Sequence, residues 1–230
     1  MGWCSGLRLV VRIGGSVVAS PLNPGLMNRY VRLLRDLKAG GHEVAAVVGG
    51  GALSRELIEA AKGMGLSERF QDDVAISVSR VMAQLFVFGL GKSGSDVVPT
   101  TIEVAGEFFE RGKIVVMGGL KPGMTTDAVA ALLADHVKAD LLVKATDQDG
   151  VFDRDPRKFP DARKLDSLSF DDLSRLFESS KHRAGIHQVI DPEAVRILRK
   201  RKIRTVVVNG ADPENVLRAV DGERVGTVIG

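Results

Sequence analysis

Three times in the first 120 residues a short run of apolar, mostly β-branched residues stops on a glycine cluster, and helical spacing follows. Residues 7–13 (LRLVVRI) end at Gly14-Gly15-Ser16, residues 44–48 at Gly49-Gly50-Gly51, and residues 114–117 at Gly118-Gly119. Runs of this length and composition predict buried strands, and glycine at their ends lets the backbone turn or approach a neighbour without a Cβ in the way. Repetition of strand, glycine turn and helix leaves few architectures open. It predicts an α/β fold, a three-layer αβα sandwich whose central, mostly parallel sheet binds ligands at the carboxyl ends of its strands.

The rest of the chain keeps this rhythm. Asn23-Pro24 predicts the cap and first turn of a helix that ends at Gly40-Gly41. Helical spacing covers 53–62 and 72–90, where Val74, Val78, Val81, Met82 and Leu85 predict a face packed on the sheet. Residues 126–138, 191–202 and 213–220 read as helices, and 141–145, 205–208 and 227–229 as strands. The polar, proline-bearing stretch 152–168 is a long connection between two halves. The chain reads as one domain with lobes near 1–140 and 141–230.

Composition excludes several function classes. With 44% hydrophobic residues in a chain of 230, a full core is available and a disordered tail is ruled out. The net charge is only +3, and the densest basic block, Arg196, Arg199, Lys200, Arg201, Lys202 and Arg204, lacks interleaved aromatics; it reads as a solvated helix end, not a nucleic-acid surface. The single cysteine, Cys4, cannot form an internal disulfide, and no signal segment precedes the first strand, so a cytoplasmic protein is expected. Apolar runs such as 44–48 and 128–134 fall short of the ~20 residues of a membrane span. His42, His136, His182 and His187 have no metal-ligand spacing, so no protein metal site is assigned. Asp147-Gln148-Asp149-Gly150 fails as a calcium loop because that register would begin at Ala145 and end at Pro156, where acids are required. Gly89-Leu90-Gly91-Lys92-Ser93 lacks the first glycine and preceding strand of a phosphate loop and reads as a helix end. No Gly-x-Ser-x-Gly elbow occurs.

The glycine loops carry the chemistry. Gly14-Gly15-Ser16 offers backbone amides to an anion, or is an ordinary turn. Three consecutive glycines at 49–51 point to close approach by a ligand or another backbone, and Arg55 lies one helical turn beyond. The third loop, residues 118–127, adds Thr125, Thr126 and Asp127, of which Thr126 or Asp127 also fits as a helix cap.

Taken in order, Ile13-Gly14-Gly15-Ser16, Val48-Gly49-Gly50-Gly51 with Arg55, Met117-Gly118-Gly119, Pro122-Gly123, Thr125-Thr126-Asp127-Ala128, Asp149-Gly150-Val151, Asp155-Pro156, Ala184-Gly185 and Gly226-Thr227 resemble the amino acid kinase superfamily, and within it the archaeal type of UMP kinase. The likeness spans essentially the whole chain. It implies transfer of the γ-phosphoryl group of ATP to UMP, with Mg²⁺ accompanying the nucleotide, in a homohexamer built from dimers. It further implies ATP contacts at Gly14, Gly15, Ser16, Gly51, Arg55, Thr146, Phe152 and Asp155, and UMP contacts at Gly50, Asp72, Leu120, Lys121, Pro122, Gly123, Met124, Thr125 and Thr126. Arg12 and Asp127 fall at catalytic positions: Asp127 to orient cations or the metal, Arg12 as a phosphate contact or else an ion-pair arginine.

The sequence departs from the superfamily at several of these places. Arg12 stands where many members have lysine, Leu120 and Met124 replace an expected threonine and histidine, and Phe152 replaces a tyrosine. Two rivals remain open. One is a related kinase acting on an isoprenoid phosphate or forming an acylphosphate, against which stand the absence of a lysine at 189–191 and of a histidine at 67–80. The other is a non-catalytic nucleotide-binding or storage protein on the same scaffold.

Overall fold

A computed structural model describes residues 6–180 and 189–230; Cys4, Ala184, Gly185, His182 and His187 lie outside them. The elements are β1 (Arg8–Ile13), α1 (Gly15–Val18), α2 (Pro24–Ala39), β2 (Glu43–Val48), α3 (Gly51–Gly63), α4 (Glu68–Leu90) with a 3₁₀ turn at Gly91–Ser93, α5 (Ile102–Glu110), β3 (Val115–Met117) and α6 (Thr126–His136). They continue with β4 (Leu141–Thr146), β5 (Val151–Phe152), β6 (Lys164–Leu165), β7 (Ser167–Leu168), α7 (Phe170–Ser180), α8 (Pro192–Arg201), β8 (Arg204–Asn209), α9 (Glu214–Val220) and β9 (Thr227–Ile229).

Seven strands form one sheet in the order β3-β2-β1-β4-β8-β9-β7, parallel throughout except where β9 returns antiparallel to β8. Side chains alternate across β1. Leu9, Val11 and Ile13 pack with Tyr30, Leu34, Met82, Phe86 and Val216 of α2, α4 and α9, while Val10 packs with Phe109, Leu133 and Leu198 of α5, α6 and α8. The two cores are the two faces of the αβα sandwich. From β1 the chain builds outward to β2 and β3, and from β4 it builds the other way to β8. The order therefore reverses between β1 and β4, the place where open α/β sheets leave a crevice for ligands.

The predicted strands and the capped helices fall where the sequence puts them: Asn23 Oδ1 accepts a hydrogen bond from Leu26 N at 2.9 Å, and Asp191 caps α8. Four differences stand out. Residues 152–168 are not a bare connection but hold the β5–β6 hairpin and β7, strands of two residues each, too short to show a period. Helix α5 goes unread because Gly106 interrupts its pattern; a Cβ there would lie 2.4 Å from Nε2 of His136 on α6. On α4 the packed stripe is Val78, Met82, Phe86 and Leu90, whereas Val81 and Leu85 are exposed, about 100° around the helix from it. Finally, Glu68–Ser93 is long and apolar enough to cross a membrane by length and composition, more than the uninterrupted apolar runs indicate; its buried stripe seats it against β2 and β3 as a core helix.

Half of the basic block at the end of α8 is paired with carboxylates: Arg196 with Glu193, Arg199 with Asp171 and Arg201 with Asp135.

Candidate active site

The glycine turns after β1, β2 and β3 stand side by side at the carboxyl edge of the sheet. The close approach required of the second cluster is loop against loop: a Cβ on Gly15 would lie 2.2 Å from Gly51 N, and Gly51 itself, at φ +65°, would place one 2.3 Å from Ala19 O. Gly14 N donates to Ala145 O at 2.8 Å, tying the end of β1 to that of β4. Helices α3 and α6 begin at the same edge, and the first amides of a helix have no intrahelical acceptor and favour anions. A cleft of about 670 Å³ runs across these ends.

Gly15, Ser16, Gly50, Gly51, Arg55, Asp72, Lys121, Gly123, Met124, Thr125, Thr126 and Thr146 line this cleft, as does Arg12. Helix α4 shapes its acceptor side. Ser79 Oγ accepts from Gly119 N at 2.7 Å, Arg80 donates through Nε to Gly119 O and through Nη2 to Leu120 O at 3.0 Å each, and Asp72 Oδ2 accepts from Gly123 N at 2.7 Å. These contacts fix the backbone of the third loop. The Leu120 side chain turns away from the cleft into a separate groove with Thr101, Leu132 and His136, and Pro122 is exposed outside the cleft lining. The cap of α6 is Thr125, whose Oγ1 accepts from Ala128 N at 3.1 Å, so neither Thr126 nor Asp127 is spent on capping.

Asp127 instead joins two cations. Arg12 and Lys144 are register partners on β1 and β4, so their side chains leave the same face of the sheet, beneath the first turn of α6. Arg12 Nε lies 2.6 Å from Asp127 Oδ1, Lys144 Nζ pairs with Oδ2, and Arg12 Nη2 donates to Thr126 Oγ1 at 2.8 Å. The three side chains are 14%, 12% and 7% exposed for Arg12, Asp127 and Lys144. Arg12 is thus an ion-pair arginine that also lines the cleft. Burial alone would raise the Asp127 carboxyl, but Lys144 and Arg12 outweigh it and hold the group down at about 2. Burial, with Arg12 acting in the same direction, pushes the Lys144 ammonium down to about 8 against the pull of Asp127.

On the far side, Thr146, Asp147, Gln148 and Arg157 line the cleft. Asp155 is buried, and Phe152 sits partly buried in the hairpin; neither belongs to the lining. Asp155 Oδ1 accepts from Arg157 N at 3.0 Å, and its carbonyl accepts from Lys158 and Phe159, so it shapes the turn that brings Arg157 to the cleft. Sequence reasoning missed Lys144, Ser79, Arg80 and Arg157. Lys144 left a signal, a lysine inside the strand LLVKAT, where every residue is buried.

Sheet order, switch-point crevice, glycine turns and buried cations together define a phosphate-handling α/β protein. The amino acid kinase family pattern matches residues 7–209, and the chain belongs to that family. It is 41% identical over 97% of its length to the uridylate kinase of Methanothermobacter thermautotrophicus, 99% of which is covered, and 42% identical, at the same coverages, to that of Methanocaldococcus jannaschii. The crystal structure of uridylate kinase from Archaeoglobus fulgidus superposes with a TM-score of 0.88 at 38% identity, covering 97% of this chain and all of that one.

Proposed function

We propose that this protein is a UMP kinase, transferring the γ-phosphoryl group of ATP to UMP to give UDP and ADP. The observation that carries the reading is the single cleft with a buried Arg12–Asp127–Lys144 cluster at its floor, glycine turns and Arg55 on one side and the α4-braced third loop on the other. Phosphoryl transfer needs two anions held in line and their charge offset, not a protein nucleophile. An oxygen of the UMP phosphate attacks the γ-phosphorus, the bond to the β–γ bridging oxygen breaks, and its electron pair leaves on ADP. Nucleotide is assigned to the side of Gly15, Ser16, Gly51, Arg55 and Thr146, acceptor to the side of Asp72 and residues 121–126, and the boundary near residue 140 separates the two lobes. Mg²⁺ enters with ATP as part of the substrate, carried on its phosphate oxygens.

An acceptor panel tests the reading. With MgATP, UMP should be turned over at least about 100-fold more efficiently than isopentenyl phosphate or acetylglutamate, a margin within reach of a polar site that loses its partners. Turnover of either alternative without UMP would overturn it, and binding of ATP and UMP with no UDP formed would make the protein a storage or sensor module.

The proposal extends to a cytoplasmic homohexamer assembled from dimers. Its support is the exposed apolar side chains on and beside α3 and α4, which include Leu57, Met64, Phe70 and Phe88; large apolar groups clustered in water mark interaction surfaces. Light scattering is expected to give six subunits, and Phe70→Asp, with Phe88→Asp beside it, to give smaller species.

Two further outcomes follow. Arg80→Ala removes both braces from the third loop and should raise KM for UMP about tenfold, the worth of one or two hydrogen bonds, with a smaller change in KM for ATP. The second concerns pH. Because Lys144 is charged below about 8 and neutral above it, kcat/KM for ATP should fall as pH rises through 8 and beyond, since that parameter reports the free enzyme. A profile flat to pH 10 would contradict the assignment.

A further inference from the structure

We propose that Ser20 is a positioning residue for the nucleotide: its hydroxyl aims the Arg55 guanidinium at the ATP phosphates and leaves that charge unneutralised. The inference rests on the phosphotransfer reading above. Ser20 lies in the turn between α1 and α2, behind the cleft lining and outside every motif that carried the family resemblance.

Among the described residues three arginines line the cleft, and their partners differ in charge. Arg12 is tied to Asp127 and Arg157 to Asp147, each at 2.6 Å. Arg55 has no carboxylate among the described residues; its Nη2 donates to Ser20 Oγ at 3.2 Å. The difference matters for an anion. A carboxylate on a guanidinium neutralises it and occupies the donors that a phosphate would take. A hydroxyl holds the same group in one direction and leaves its full charge to the ligand. Arg55 needs such a hold, because it projects exposed from the second turn of α3, where a long side chain samples many rotamers.

The rest of the hydroxyl's bonding separates this role from a purely structural one. Ser20 Oγ donates to Gly15 O at 3.3 Å and accepts from Ala52 N at 2.8 Å as well as from Arg55. One hydrogen and two lone pairs are thereby all in use, which fixes the orientation of the group. Both backbone atoms, however, have a second and closer partner: Ala52 N donates to Ala19 O at 2.7 Å, and Gly15 O accepts from Ala19 N at 2.9 Å. Without the hydroxyl the two glycine turns keep those bonds. Arg55 keeps no hydrogen-bond acceptor among the described residues.

The test is a double-mutant cycle of Ser20→Ala and Arg55→Ala, with Ser20→Thr and Ser20→Asp beside it, read by steady-state kinetics, thermal melting and binding of a non-hydrolysable MgATP analogue. Ser20→Ala should raise KM for ATP about three- to tenfold, the range for one hydrogen bond to a charged group, and weaken the analogue in parallel. KM for UMP and the melting temperature should hold. Ser20→Thr, which keeps the hydroxyl, should recover most of the loss. On the Arg55→Ala background, Ser20→Ala should change KM for ATP by less than about 1.5-fold, because the group it aims is gone. Ser20→Asp separates stability from binding: a carboxylate beside the start of α3 suits that helix end, so the melting temperature should hold or rise, yet KM for ATP should rise more than in Ser20→Ala.

Equal factors for Ser20→Ala with and without Arg55 would overturn the proposal, since the hydroxyl would then act through the glycine turns. So would a melting temperature that falls in Ser20→Ala, or a Ser20→Asp enzyme that binds the analogue as tightly as wild type. Wild type that forms no UDP would sink the phosphotransfer reading itself, whereas an active wild type with an additive cycle would sink only the role of Ser20.

Discussion

Asp127→Asn is expected to destabilise the protein by about 3–5 kcal/mol at neutral pH, the cost of removing one partner from a buried ion cluster. Arg12 and Lys144 would be left as neighbouring cations, 14% and 7% exposed, with an amide in place of the carboxylate between them. Activity should fall with stability, since the same carboxylate aims both cations at the cleft. The pH dependence follows from the signs of the shifts. Asp127 in the folded protein titrates below its ordinary value, so its contribution is present above the unfolded pKa and is lost as pH falls toward about 2. The lysine has the same sign in a different window: its folded value is depressed too, so the unfolded chain holds more protons between about 8 and the ordinary lysine value, and stability rises with pH there as an unfavourable buried charge is lost. Denaturant melts of wild type and variant at pH 3, 7 and 9.5 should therefore differ most at pH 7. A variant as stable as wild type at pH 7 would show that the cluster is solvated and weak.

Gly51→Ala is the second large effect. The position combines φ +65° with a Cβ that would meet Ala19 O at 2.3 Å and Gly15 O at 2.5 Å, so the side chain is excluded by conformation and by space. Loss of about 2–4 kcal/mol is expected, in the range of a strained backbone position with added overlap. A rise in KM for ATP should accompany it, because the displaced loops line the nucleotide side. Gly63→Ala is the control: at the end of the same helix nothing lies within 4 Å of the added Cβ, and stability should hold or rise slightly. Equal melting midpoints for the two variants would contradict the loop-against-loop account.

The contrast between these glycines shows what the sequence disclosed. Strand runs ending in glycine mark the cleft because sheet twist and parallel order bring successive strand ends to one edge, a constraint readable from local pattern alone. Thr125, Thr126 and Asp127 are legible as a group, but which of them caps α6 depends on hydroxyl geometry that spacing does not encode. Lys144 escaped because its partners, Arg12 and Asp127, are 132 and 17 residues away along the chain, and only the β1–β4 register brings the two cations together. Arg80 and Ser79 escaped for a related reason. They act through the backbone of residues 119 and 120, so their side-chain chemistry carries no motif. Leu120 shows the reverse case: its neighbours Gly119 and Lys121 line the cleft, yet its own side chain faces the other groove and its carbonyl accepts from Arg80.

The central claim is that one cleft carries a phosphoryl group from ATP directly to UMP across the Arg12–Lys144 pair. Incubation of the purified protein with Mg²⁺, UMP and ATP labelled at the γ-phosphate tests it most directly. The label should appear in the β-phosphate of UDP, one for one with ADP and with no free phosphate released. Label recovered as inorganic phosphate, or left in ATP while both nucleotides are bound, would contradict the account.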